Sequence, residues 1–335
     1  MKALRQAIAG VAFGIAAVGL AAPSYAATKM IMSNDSQAPL LKGRTFEHLK
    51  ALIEKNLKGE IDVELHHNGT LYNQKTQVQG LQLGGAQLIS PTIGIYSSAF
   101  PKVNALLLPF MFHSMDAIQA AVDDPEVGGP IFKEMDAKNI KIVAVWANGP
   151  RNVGSKKKII TPADIQGVKI RVQPAEVFIE TFKDFGANPI SMSWGEVPTA
   201  LEQGVIDAIE VTPNAWLGSG VYEFVDHITK LEYVISFYGV ATNKSWWNGL
   251  PDKTRAKLKA AIDETTRWNW ENAQRINDDA NKKLVEKGVQ VHDLAPAQRK
   301  EWRDKAAPVW RSIGYKLVGQ AVVKRMQEIS DKYAK

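Results

Sequence analysis

The chain reads as an α/β protein of two lobes, hinged and bridged by one long helix, and three observations predict this. Apolar-alternating strands and amphipathic helices take turns along the sequence. The length, 335 residues, exceeds one ordinary domain and suits two. A 37-residue helix-forming segment, Pro251 to Lys287, has Pro at its start and Gly288 at its end. At the rise of an α-helix it spans roughly 55 Å, too long to be buried in one small lobe. Its apolar positions, including Leu258, Ile262 and Trp268, keep no sustained heptad, so a strut across both lobes is expected rather than a coiled coil.

The N-terminus stands apart. Lys2 and Arg5 lead into the apolar run "AIAGVAFGIAAVGLAA", and "PSYA" sets Ser24 and Ala26 where a signal peptidase wants small residues. The run is rich in Ala and Gly and shorter than the ~20 strongly apolar residues that usually span a bilayer. Residues 1–26 are therefore expected to be a cleaved export signal.

After the signal, "TKMIMSN" predicts a strand, Pro39 to Leu57 an amphipathic helix and "EIDVELHH" a second strand. A helix over Gln74 to Leu83 and a short strand "AQLISPT" follow. The middle repeats that grammar with strand "IKIVAVWAN" and then "TPADIQG", in which Thr161 is expected to cap a helical turn with Pro162 at its first position. Next come strand "GVKIRVQ", a helix over Glu176 to Phe185, a strand near "NPISMS", a helix from Glu196 to Gln203 and strand "IDAIEV". The expected division is residues 27–148 plus about 237–275 for the first lobe, and 149–236 plus about 276–335 for the second.

Composition narrows the function. The formal charge of +6 falls to +4 without Lys2 and Arg5, and no dense Lys/Arg block is interleaved with aromatics, which argues against nucleic acid. A mild positive balance suits a small anionic ligand. There is no Cys, hence no disulfide, thiolate metal site or lipid-anchoring cysteine. The sequence holds no GxSxG, GxxxxGK, HExxH, GxGxxG or EF-hand pattern. His66 and His67 are adjacent, so on a strand they point to opposite faces and cannot share a metal. Asp207 and Glu210 likewise fall on opposite faces, which disfavours a carboxylate pair and leaves Glu210 facing a cleft as an open reading. Most tryptophans lie in helical C-terminal stretches as core, whereas Trp194 and Trp216 flank strand ends, where binding groups collect.

Arg151 in "NGPRNVGS" and Arg171 in "KIRV" lie twenty residues apart, the first in a loop after a strand and the second within the next strand. A guanidinium offers paired donors that match a carboxylate, and two could converge on one anion. Alternation alone assigns Arg171 to a solvated strand face.

The run "TPADIQGVKIRVQ", followed by "FGANPISMSWGEVPTALEQGVIDAIE", resembles the signature region of the substrate-binding proteins of TRAP transporters, the DctP family. "HHNGTLYNQKTQVQGLQLGGAQL", "ALLLPFMF" and the late long helix fall in the family's order. The resemblance implies a two-lobe periplasmic binding protein fold that closes over a small organic acid: a C4-dicarboxylate, keto or hydroxy acid. It implies that Arg171 forms a bidentate salt bridge with the ligand carboxylate, that Arg151 contributes to the anion site and that Trp194 packs over the ligand. Sialic-acid-binding relatives carry Asn directly after the Glu of the last strand, where this chain has Val211, which argues against sialic acid. Asn214 is the expected substitute for that amide, with Glu210 beside it; the alternative is a more apolar pocket. Asn34 and Thr92 are the expected contributions of the other lobe, each with an alternative as an ordinary cap or turn residue.

Gln173 with Glu210 could supply oxygens to a bridging cation, but nothing in the sequence demands one, and neither metal nor cofactor is expected. The implied partners are the small and large membrane subunits of a TRAP transporter, with the protein itself a monomer in the periplasm. Two alternatives stand beside that reading: a ligand sensor for a signalling receptor, and a periplasmic hydrolase or isomerase with Glu210 or Asp207 as base.

Overall fold

Residues 27–334 are described in a computed structural model; the expected export signal lies outside them. The alternation of the first strands is realised as β1 (Thr28–Ser33), α1 (Leu41–Asn56) and β2 (Ile61–His66), with β1 and β2 paired in parallel from Thr28↔Ile61 to Ser33↔His66. Met30 and Met32 are fully buried under Phe46, Leu49 and Ile53 of α1. The chain continues through α2 (Gln77–Gln82), β3 (Leu88–Ile89), α3 (Met115–Asp123) and α4 (Gly128–Ala137) to β4 (Ile140–Pro150). The second sheet begins at β5 (Asn152–Ser155) and adds β6 (Lys169–Val172), α5 (Glu176–Asp184), β7 (Asn188–Ser191), α6 (Val197–Glu202), β8 (Ala208–Val211), α7 (Pro213–Gly218) and β9 (His227–Thr229). The chain then returns to the first sheet as β10 (Ile235–Asn243) before α8 (Lys244–Gly249).

Two α/β lobes result, one on the five-stranded sheet β2-β1-β3-β10-β4. The other is built on six strands, five of them already given, with β11 (Gln290–His292) at the edge in the order β11-β9-β5-β8-β6-β7. The parallel pairs β6–β7 and β6–β8 bury Ile170, Arg171 and Val172 on both faces, so strict alternation of wet and dry sides holds only at Lys169. Residues 161–167, expected to start a helix, form a turn instead. The reason is Asp164, whose carboxylate accepts from the N–H of Ile160 (3.0 Å) and of Thr161 (2.7 Å) and from the Thr161 hydroxyl (3.0 Å).

The strut is α9 (Asp252–Glu286), with Pro251 and Lys287 as its caps and Gly288 at φ 91° just beyond. Leu258, Ala261 and Ile262 pack under β4 and α1, and Leu284 packs with the α7 side of the second sheet. Two asparagines on its inner face replace apolar contact where β4 passes from one sheet to the other. Asn269 accepts from Ala147 N (2.6 Å) and donates to Ala147 O (3.2 Å), while Asn277 donates to Asn148 O (2.8 Å). One amide thus satisfies both backbone groups of a buried residue. Gly149 follows at φ 135°, and a Cβ there would lie 2.5 Å from the Asn277 amide nitrogen, so only glycine fits.

After β11, α10 (Pro296–Val309) packs on α5, with Trp302 fully buried edge-on to Phe185 (4.7 Å) and its Nε1 donating to Ile160 O (2.8 Å). A π turn and the short α11 (Lys316–Val318) then lead to α12 (Gln320–Lys332), which leaves the second lobe and packs against α3. Val323, Met326 and Ile329 join Ile118 and Ala121, and Arg325 Nη2 donates to Asp124 (2.7 Å). The apolar stripe of α12 thus packs on α3 beside the first sheet.

Trp302→Ala removes an indole from a packed cluster and one hydrogen bond, and is expected to cost about 3–5 kcal/mol in urea unfolding. Gly149→Ala should destabilise as well, through strain at positive φ and the clash with Asn277, with Asn277→Ala in the same chain relieving only the clash.

Candidate ligand-binding site

Residues just beyond the C-terminal ends of β1, β3, β6 and β8 meet around one cavity: Ser36, Thr92, Gln173 and Thr212 all line it. This is where α/β sheets present binding groups, because the loops there are free of ladder pairing. The cavity measures about 60 Å³, and Leu40, Val211, Ala215 and Tyr238 give it apolar walls.

Of the seven expected site residues, Arg171, Arg151, Trp194, Asn214 and Thr92 line the cavity; Glu210 and Asn34 do not. Arg171 is 2% exposed and has no carboxylate partner among the described residues. Its Nε and Nη2 both donate to Met192 O, at 3.1 and 2.9 Å, which leaves Nη1 without a protein acceptor among the described residues. Trp194 stands beside it, with the guanidinium carbon 5.5 Å from the ring centroid. Burial, with the like charge of Arg151 adding to it against the attraction of Glu210, lowers the Arg171 pKa to about 10. The group is still cationic at neutral pH, in a place that penalises an unpaired cation.

Arg151 lines the same cavity but is paired within the protein. Its fork closes on the Glu210 carboxylate, Nε on Oε2 and Nη2 on Oε1 (2.6 Å), and Nη2 also reaches Glu210 O (2.8 Å). Tyr233 donates its hydroxyl to Glu210 Oε2 (2.8 Å). Burial opposes the charge on Arg151, yet Glu210 and Tyr233 outweigh it and raise its pKa above the usual guanidinium value. Both members are buried, 3% and 0% exposed on their side chains. Glu210 does not line the cavity: both of its carboxylate oxygens are turned to Arg151, and Tyr233 holds one of them.

Asn34 takes the second of its two expected roles, that of a turn residue. Its carboxamide accepts from Ser36 N (3.0 Å), donates to Ser36 O (2.9 Å) and meets His67 Nδ1 (2.8 Å), so it folds the loop that carries Asp35 and Ser36. Asn214 does line the cavity, held by its N and Nδ2 donating to Asn277 Oδ1 (both 3.1 Å), with its own Oδ1 free of any described donor. The Thr92 hydroxyl donates across the cleft to Gln173 Oε1 (3.0 Å). Trp216, flagged with Trp194, is instead fully buried in the second lobe's core.

Sequence reasoning missed Lys42 and Asn148. Lys42 lines the cavity from α1, 4.9 Å above the Tyr238 ring, and is ion-paired with Asp35; their side chains are 2% and 3% exposed. The available signal was a lysine between apolar positions on the inner face of a helix, where a charge must have a partner. Asn148 bonds Ser236 Oγ (3.1 Å) and Thr212 Oγ1 (3.2 Å), which ties β4 to β10 and to the end of β8. Among the described residues no group of three or more His, Cys, Asp and Glu side chains is placed to hold a metal ion.

Residues 33–317 match the family model for bacterial extracellular solute-binding protein, family 7 (DctP). The C4-dicarboxylate-binding periplasmic protein DctP of Vibrio cholerae is 29% identical over 285 residues, covering 84% of this chain and 86% of that protein. The 2,3-diketo-L-gulonate-binding periplasmic protein YiaO of Escherichia coli is also 29% identical over 285 residues, covering 83% and 85%. The crystal structure of a TRAP periplasmic solute binding protein from Shewanella oneidensis with bound succinate superposes with a TM-score of 0.86 at 26% identity, covering 91% of this chain and all of that one. The chain belongs to the DctP family, family 7 of the bacterial extracellular solute-binding proteins.

Proposed function

We propose that the protein acts in the periplasm, exported by its 1–26 signal, captures a small organic acid between its lobes and delivers it to the two membrane subunits of a TRAP transporter. The observation that carries this reading is Arg171: a buried guanidinium in a cavity wall with donors to spare and no carboxylate of the protein to pair with. A ligand carboxylate completes that ion pair, and Trp194 covers the guanidinium from the side. Asn214 and Thr92 supply neutral polar contacts. Arg151 lines the wall as the partner of Glu210, so it shapes the site and contributes to the field rather than clamping the anion. The organic acids named with relatives, C4-dicarboxylates and 2,3-diketo-L-gulonate, support a carboxylate as the shared recognition element. The enzymatic reading finds Glu210 committed to Arg151 and Tyr233, and Asp207 half exposed away from the cavity wall.

A thermal-shift screen of C3 to C6 organic acids identifies the ligand class, because a bound ligand stabilises the folded state by the logarithm of its excess over Kd. With the acid that shifts most, Arg171→Ala should weaken binding in calorimetry by about 10²–10⁴-fold, the loss of two charge-assisted hydrogen bonds. Unchanged affinity would sink the assignment. Arg171→Lys should recover only part, since an ammonium cannot present the planar fork. Glu210→Gln behaves differently: it leaves Arg151 buried without its counter-charge and is expected to destabilise the fold by about 3–5 kcal/mol in the absence of any acid.

A further inference from the structure

The ionised side chains around the cavity cancel in pairs and leave one positive charge. Arg151 is matched by Glu210 and Lys42 by Asp35, all four almost wholly buried. At the lip, Lys75 and Glu196 pair across the cleft at 2.8 Å, in water. Arg171 alone remains. From this charge balance, which rests on reading the cavity as an organic-acid site anchored by Arg171, we infer that the ligand is a monocarboxylate with neutral oxygen functions, and that Asp35 is the residue that excludes a second carboxylate.

One carboxylate neutralises Arg171. A second one entering the same closed space finds Lys42 as the only other cation on the wall not already bound to Glu210, and Lys42 is committed to Asp35. Drawing Lys42 away strands Asp35, whose Oδ1 has Lys42 as its one side-chain donor and whose Oδ2 is buried with no donor among the described residues. Either way a carboxylate stays buried and uncompensated, which low-dielectric surroundings penalise heavily. What the rest of the wall offers is neutral: the hydroxyls of Thr92 and Thr212 and the amides of Asn148, Gln173 and Asn214 suit hydroxyl or keto oxygens, and Val211 and Ala215 suit carbon. Position 35 thus separates this chain chemically from a dicarboxylate receptor, in which the first-lobe cation would need to be free.

The test uses matched acids that differ only in the terminal group: butyrate against succinate, 2-hydroxybutyrate against malate, 2-oxobutyrate against oxaloacetate, titrated calorimetrically at neutral pH. The monocarboxylate of the best-binding pair should bind at least about tenfold tighter, the effect of a modest uncompensated charge. Asp35→Asn frees Lys42 and should move the ratio at least about tenfold toward the dicarboxylate. The double variant Asp35→Asn with Lys42→Gln removes the pair without changing net charge and should keep the wild-type preference. Tighter wild-type binding of succinate, malate or oxaloacetate that still depends on Arg171 overturns this inference and leaves the carboxylate-site reading standing. An unchanged ratio in Asp35→Asn also overturns it. Binding of neither class, with Arg171→Ala indistinguishable from wild type, would remove the reading itself and this inference with it.

Discussion

The Arg151–Glu210 ion pair is the constraint on which the rest of the site depends. Arg151 sits between β4 and β5, where the chain first crosses from one sheet to the other. Its backbone N–H donates to Val234 O and its carbonyl accepts from Glu232 N, both at 3.0 Å, so the two crossing segments are joined there. Its side chain then binds the end of β8 through Glu210. A bidentate, buried pair tolerates little change of geometry, because each partner alone would be a desolvated charge. The crossing point is therefore fixed relative to the second sheet, and movement of the lobes must be taken up elsewhere, on the first-lobe side of Arg151. The same pair holds the Glu210 carboxylate on Arg151, so Glu210 attracts Arg171 from a distance without pairing with it and leaves that cation available.

On the first-lobe side the crossing is held by amides rather than charges. Asn269 and Asn277 clip the backbone of Ala147 and Asn148 to α9, and Gly149 takes a conformation closed to other residues. Neutral hydrogen bonds of this kind are individually worth about 1 kcal/mol and rearrange at low cost, unlike a buried ion pair. Asn277 also accepts from Asn214 in the cavity wall. The strut thus touches both the bend of the chain and the binding surface through a single carboxamide, which gives a physical connection between what fills the cavity and how the strand bends.

Much of this was legible in the sequence, and the gaps have specific causes. The β1–α1–β2 unit, the 35-residue helix and the strand carrying Arg171 followed from periodicity, Pro and Gly punctuation and length. That Arg171 is buried did not follow from alternation: β6 has neighbours on both sides and cover on both faces, and a four-residue strand is too short for its pattern to report that. The pairing of Arg151 with Glu210 spans 59 residues, and neither spacing nor motif encodes a contact made by sheet order. Lys42 and Asp35 are seven apart across a helix start, where local rules see a charge near a terminus and not a shared burial. In "TPADIQG" the capping grammar was present but ran the other way, with Asp164 drawing the preceding N–H groups into a turn before a helix could propagate.

The contacts that close the cleft are weak by design of their chemistry. Thr92 to Gln173, Trp194 N to Gln74 Oε1 (2.9 Å) and Lys75 to Glu196 are two neutral hydrogen bonds and one ion pair with more than half of each side chain exposed. Exposed ion pairs contribute little, and neutral bonds trade against water. The difference between open and closed forms therefore has to come mainly from a group that gains more in one form than the other. Arg171 is that group: within the closed cavity its charge is desolvated by Trp194 and the opposite lobe, and the penalty reverses when an anion is enclosed with it. On the proposed reading, the same uncompensated cation would both select the ligand and make closure depend on it, so that loaded and empty forms differ in shape.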